Sequence, residues 1–213
     1  MADTELTRLV FLLDRSGSMQ SIKSDIEGGF AAFVEEQKAA DGSCLVTLVQ
    51  FDDDYHVVYQ NVPVSEAPPL DLRPRGRTAL LDAMGRLVTE LGAEINAQPE
   101  DERPGAVIVA IMTDGHENAS RKWTHAAVKD LVDLHTRTSD WQFMYMGADQ
   151  DAIEVGAQLG VAREQSLTYR KGNSRAAMEA AGKNIRDYRE AKMINPAAAM
   201  PLFSDEQRDA AGN

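Results

Sequence analysis

The chain has 213 residues, 43% of them apolar and 26% charged, which suits one sizeable α/β core and is too short for two well-built domains. Its formal net charge of −12 and sequence pI near 4.7 repel phosphate backbones, so no nucleic-acid role is expected. The longest apolar runs, around residues 9–13 and 106–112, have the length of buried strands and fall short of the roughly 18 residues of a membrane span.

The first residues, MADTELTRLVFLLD, carry an acidic flank and no small-residue cleavage site, so no secretory signal is read there. The single cysteine, Cys44, opens an apolar run and reads as a buried, inert thiol with no internal disulfide. Together these features make a reducing cytoplasm the expected compartment.

The pattern along the chain alternates short apolar runs with helical stretches, as a succession of βαβ units does. The first strand spans residues 8–14 and is apolar on both faces from Leu9 to Leu13, as befits a central strand covered by helices. A helix at about 20–39 follows, with Ile22, Ile26, Phe30, Phe33 and Val34 near a 3.6-residue period; Gly28-Gly29 is read as a close approach to the sheet. Residues 44–51 form the next strand, and the acidic turn Asp52-Asp53-Asp54 leads to a hairpin partner at 55–62.

After an irregular, proline-rich stretch at 63–76, the spacing predicts a long helix at about 79–96 with Leu80, Met84, Leu87, Leu91 and Ile95 on its buried side. A polar loop with Pro99 and Pro104 precedes a strand at 106–113, then a helix at 123–138 and a strand at 141–147. The remaining elements are a short helix at 150–159, a short strand at 166–169 and a helix at 174–192. Ser204-Asp205-Glu206-Gln207 has the form of a capping box for a final turn. No repeat or low-complexity linker interrupts the chain. It reads as a single domain over 1–193 with a C-terminal tail at 194–213, packed on the domain or partly disordered.

The strongest local signal is Asp14-Arg15-Ser16-Gly17-Ser18, directly after the first buried strand. In a parallel α/β sheet ligands bind at the carboxyl edge. An acid closing a strand there, with two hydroxyls in the next loop, turns three oxygens to one point, and Gly17 lets the loop bend. Asp114 closes the strand at 106–113 and belongs on the same edge. Thr78 opens the helix that follows the proline-rich loop, where its hydroxyl is open to two roles, ligand or N-cap. An all-oxygen set of this kind suits a hard cation, Mg²⁺ first, with Ca²⁺ or Mn²⁺ also accommodated.

These three elements, Asp14-Arg15-Ser16-Gly17-Ser18, Arg77-Thr78-Ala79 and Thr113-Asp114-Gly115, resemble the metal-ion-dependent adhesion site of von Willebrand factor A domains. The resemblance covers about residues 6–170. It implies a doubly wound, mostly parallel six-stranded sheet of Rossmann-like form with one antiparallel edge strand, here residues 55–62. It further implies that Ser16, Ser18 and Thr78 bind the metal through hydroxyls, and that Asp14 and Asp114 bind it directly or through water. With two carboxylates only partly balancing a dication, the implied function is capture of a carboxylate from an acidic protein partner.

Arg15, Met19, Asp52, His116 and Glu117 border the site in sequence and are read as a partner-contact rim. Asp52, Asp53 and Asp54 also admit a simpler reading as a solvated hairpin turn, Asp149 and Asp151 one as a helix cap, and Gly115 one as a turn residue. His56, His125 and His135 show no zinc-ligand spacing with one another or with Cys44. The rival function is a Mg²⁺-dependent hydrolase or phosphoryl-transfer enzyme using the same aspartates. The sequence has no glycine-rich phosphate loop and no GxSxG elbow, so a non-catalytic binding module is expected.

Overall fold

A computed structural model describes residues 2–149 and 151–212. Six strands, β1 (Asp3–Asp14), β2 (Ser43–Phe51), β3 (Tyr55–Pro63), β4 (Pro104–Thr113), β5 (Gln142–Ala148) and β6 (Ser166–Tyr169), form one sheet in the order β3-β2-β1-β4-β5-β6. All neighbours are parallel except β2 and β3, which pair antiparallel at the edge. The sheet is the doubly wound, Rossmann-like α/β arrangement expected above, with β1 at its centre.

The continuous apolar run of β1 explains that central place. Leu9, Phe11 and Leu13 point into one core layer, Val10 and Leu12 into the other, and all five are buried. On the first face lie helices α1 (Lys23–Ala39) and α5 (Ser174–Ile194), which contribute Ile26, Phe30, Phe33, Met178, Ile185 and Tyr188. On the opposite face lie α2 (Leu80–Ala97), α3 (His125–Ser139) and α4 (Ala152–Gln158), led by Met84, Leu87, Leu91, Val128 and Val132. Phe11 meets Phe30 and Phe33 edge-on, with ring centroids 5.3 and 5.2 Å apart.

Several boundaries differ from the sequence reading. β1 begins at Asp3, because Asp3 N–H bonds to the Arg103 carbonyl and extends the pairing with β4. Residues 17–22 form a 3₁₀ turn before α1. The start of α3 is set by the Thr124 hydroxyl, which accepts the Ala127 N–H, so Trp123 stays outside the helix. Asp151 caps α4 by accepting two backbone N–H groups, so the cap reading holds for that residue; Gln150, where the sequence placed the helix start, lies outside the described residues. The Gly28-Gly29 approach is to α5, not to the sheet: a Cβ on Gly29 would stand 2.9 Å from Met178 Sδ and 3.2 Å from Arg175 Cα.

The C-terminal segment packs on the first face. Met200, Phe203 and Ala211 are buried in the same core as α1 and α5, and α6 (Asp205–Ala211) sits beside β6 and α5. Its capping box is complete: Ser204 Oγ accepts from Gln207 N–H, and Gln207 Oε1 accepts from Ser204 N–H. Ser204→Ala is therefore expected to cost about 1 kcal/mol, a fall in Tm of roughly 2–4 °C for a domain of this size, readable in a thermal melt. Cys44 is buried, and burial pushes its thiol up to about 11, as an inert thiol requires. Among the described residues no helix is long and apolar enough to cross a membrane.

Candidate metal centre

The parallel register of β2, β1 and β4 brings their carboxyl ends to one edge: Asp14 pairs with Phe51, and Leu13 with Met112. Three loops meet there, and backbone hydrogen bonds lock them together. Arg15 N–H donates to the Phe51 carbonyl, Gly17 N–H to Gly76, Arg75 N–H to Arg15, and Ala79 N–H to Asp52. Thr78 is clamped from the far side. Its N–H donates to Asn118 Oδ1 and its carbonyl accepts from Asn118 N–H, each at 3.0 Å.

Asp14 is fully buried. One carboxylate oxygen accepts the Ser16 N–H and the other the Thr113 hydroxyl, both at 2.6 Å. Burial pushes its carboxyl up to about 6, the neighbouring Asp114 charge adds to the rise, and the bonds from Thr113 and Ser16 oppose it. Ser18 Oγ donates to Asp114 Oδ1 at 2.6 Å, and the Ser16 and Ser18 hydroxyls are 3.1 Å apart. The other oxygen of Asp114, Oδ2, is buried and has no hydrogen-bond partner among the described residues.

Gly115 shows how closely these groups gather. A Cβ there would stand 2.9 Å from Thr78 Oγ1 and 3.7 Å from both Asp14 Oδ2 and Ser18 Oγ. The backbone at Gly115 is not in the left-handed region, so the turn does not require glycine; the space does. This corrects the reading of Gly115 as a turn residue. Gly17 likewise has no positive φ, and what it contributes is the N–H given to Gly76.

Thr78 takes no part in capping α2, which begins at Leu80 without a side-chain cap from the residue before it. That work falls to the loop after β4. The Glu117 carboxylate accepts the N–H groups of Leu81, Ala119 and Ser120, and Ser120 Oγ accepts that of Asp82. Glu117, placed on the rim by sequence, is thus a helix cap and loop brace.

The other rim residues separate in the same way. Met19 is fully buried in the core, and Asp52 is 2% exposed. Asp52 accepts Nε–H of Arg15 at 3.0 Å and of Arg75 at 2.9 Å, and Arg77 binds Asp53. The acidic turn is therefore a clamp between the loop at 14–18 and the loop at 73–79, and neither Asp52, Arg15 nor Met19 presents a free surface. His116 alone of the five is exposed.

The donor set is two carboxylates and three hydroxyls. Among the described residues no group of three or more His, Cys, Asp and Glu side chains is arranged to hold a metal ion, so a cation here must rely on the hydroxyls. The residues fit a hard cation on three counts: all donors are oxygen, Asp114 Oδ2 is buried without a hydrogen bond, and Gly115 keeps the ground between the donors free of a side chain. Sequence reasoning overlooked Asn118 and the hydroxyl of Thr113 as positioning groups. Thr113 ends β4 and Asn118 lies in the loop that follows it, but nothing in their spacing marks them.

Sheet order, helices on both faces and the loop cluster at the carboxyl edge define a von Willebrand factor A-like fold. No family model matches the sequence, and no curated protein matches it. Solved structures match the fold. The proximal thread matrix protein 1 of the mussel byssus aligns with TM-score 0.58 and 16% identity over 85% of this chain and 46% of its own. A von Willebrand factor type A protein from Catenulispora acidiphila aligns with TM-score 0.55 and 16% identity over 86% of this chain and 42% of its own. The vWF domain of a type V pili tip protein from Porphyromonas gingivalis gives TM-score 0.55 and 11% identity, covering 85% of this chain and 95% of that one. This chain spans less than half the length of the first two. At such identities the likeness is one of fold.

Proposed function

We propose that the chain is a divalent-cation-dependent protein-binding module, without catalysis of its own, that captures a carboxylate of an acidic protein partner. The observation that carries this reading is the convergence of Asp14, Ser18 and Thr78 oxygens around the bare Gly115, beside the buried Asp114 Oδ2, which accepts no hydrogen bond among the described residues. Asp14, Ser16, Ser18, Thr78 and Asp114 would hold the cation, Mg²⁺ first and Ca²⁺ or Mn²⁺ in its place. When bound, the cation would supply a positive centre able to attract one further anionic oxygen.

The chain's own part is positioning. Thr113 and the Ser16 N–H aim the Asp14 carboxylate, Asn118 holds Thr78 in place, and Glu117 relieves Thr78 of capping duty. With neutral hydroxyls as three of five donors, the two carboxylates bring a dication no further than neutrality, so the loaded site does not repel an external carboxylate. His116, exposed and next to Gly115 in the chain, is the rim residue left free to touch a partner. The byssus matrix protein and the pili tip protein that share the fold agree with a binding role.

The test is affinity capture by the full chain in Mg²⁺ against EDTA, with Asp14→Ala and Thr78→Ala as controls. The reading expects partners retained only with Mg²⁺ and lost in both variants, with little change in the Tm of Thr78→Ala. Metal-independent capture would overturn it, as would Mg²⁺-dependent turnover of generic phosphate esters that disappears in Asp14→Ala.

A further inference from the structure

The basic side chains nearest the site in sequence all turn away from its carboxylates. Arg15 and Arg75 bind Asp52, and Arg77 binds Asp53. The cation that does reach the pair comes from the other end of the chain: Lys171 Nζ lies 3.2 Å from Asp114 Oδ2, on a carboxylate whose side chain is fully buried. The contact is an ion pair without the direction of a hydrogen bond, since that oxygen has no hydrogen-bond partner. Lys171 itself is 38% exposed, so its stem has room to swing outward.

Its backbone is held. Lys171 opens a single 3₁₀ turn after β6, and both flanks of that turn are tied to the last residues of α6. Arg170 N–H donates to the Ala211 carbonyl at 2.9 Å, and Asn173 Nδ2 donates to the Ala210 carbonyl at 3.0 Å. The turn is closed by Asn173 N–H on the Arg170 carbonyl at 2.7 Å. The C-terminal helix thus sets how far the lysine stands from the carboxylates.

We propose that Lys171 is a tethered counter-cation of the Asp14–Asp114 pair, positioned by α6, and that it competes with the divalent cation for the site. The inference rests on the cation-binding reading above and names a regulator of that same site. Two buried carboxylates side by side repel, and an ammonium at 3.2 Å offsets part of that repulsion when no dication is bound. A dication entering the site meets the ammonium as a like charge. The lysine must withdraw, so the apparent affinity is the intrinsic affinity reduced by the fraction of molecules with the lysine out. The tether keeps its local concentration high at any concentration of free salt.

The experiment titrates MgCl₂ and MnCl₂ into the full chain by calorimetry, comparing wild type with Lys171→Met and Asn173→Ala, and measures each Tm in EDTA. Lys171→Met keeps the stem and removes the charge. It is expected to bind either cation about tenfold more tightly, roughly 1.4 kcal/mol, and to melt at a lower temperature in EDTA. Asn173→Ala removes one of the two ties of the turn to α6, and it is expected to shift affinity the same way by a smaller factor. If wild type binds the cation and Lys171→Met binds it equally or more weakly, the competition is overturned while the site stands. If neither protein binds Mg²⁺ or Mn²⁺, the cation-binding reading fails and this inference falls with it.

Discussion

Replacing Gly115 with alanine is expected to abolish the proposed divalent-cation binding while leaving the fold intact. The added methyl would stand 2.9 Å from Thr78 Oγ1 and 3.7 Å from Asp14 Oδ2 and Ser18 Oγ, among the oxygens that have to close on a cation. Asn118 fixes the Thr78 backbone, and Thr113 and Ser16 fix the Asp14 carboxylate, so the Thr78 hydroxyl is the group that has to turn aside, out of the donor set. A loss of at least about 100-fold in Mg²⁺ affinity follows, on the order of 2.7 kcal/mol. The backbone at 115 accepts alanine without a left-handed φ, so unfolding free energy should move by no more than about 1 kcal/mol. Calorimetric titration and a thermal melt in EDTA check the two halves separately. Normal Mg²⁺ binding by Gly115→Ala would show that these oxygens do not serve one cation.

The second large effect is expected at Asp52, outside the ligand set. Its carboxylate takes the Asp54 N–H at 2.7 Å and the guanidinium groups of Arg15 and Arg75, and it is almost wholly buried. Asp52→Ala leaves the buried Arg15 without its counter-ion and unties the loop at 14–18 from the loop at 73–79. Removing one partner of a buried pair costs about 3 kcal/mol, which lowers Tm by roughly 6–12 °C in a domain of this size. Cation affinity should fall too, because Ser16 and Thr78 sit on the loops set adrift. A Tm unchanged in EDTA would show that the clamp is dispensable.

The same residue sets a direction with pH. Burial alone would raise the Asp52 carboxyl, but the Asp54 N–H and the two arginines outweigh it and hold it below the ordinary value of 3.8. A group depressed in the folded state contributes its stability in full above its unfolded value. That contribution is lost as pH falls through the lower, folded one. The stability gap between wild type and Asp52→Ala should therefore be constant near neutral pH and narrow only below about 4.

How much of this was legible in sequence varied with the range of the interaction. The doubly wound sheet was, because residues 9–13 and 106–112 are apolar at every position and only a strand covered on both faces needs that. Asp14, Ser16 and Ser18 were legible as one loop and Asp114 as the end of a strand sharing its edge, while Thr78 rested more on the family resemblance. The rim was not. Met19 and Asp52 border the ligands in sequence, yet one points into the core and the other into a clamp, and sequence adjacency does not report side-chain direction. Glu117 resembled a recognition residue because the partner that makes it a helix cap, the Leu81 N–H at the start of α2, lies 36 positions away.

The sequence by itself determined the chemistry of the proposed metal centre: oxygen donors only, two of them charged, at the ends of two strands that share an edge. It did so because strand pattern and loop composition are local properties. Tertiary structure alone decided how that centre is held and opposed. Asn118, Asp52 and Glu117 lock its loops, Gly115 leaves its middle bare, and Lys171 brings an ammonium from the far end of the chain to Asp114. Those contacts join residues separated by tens of positions, and folding alone puts them within reach of one another.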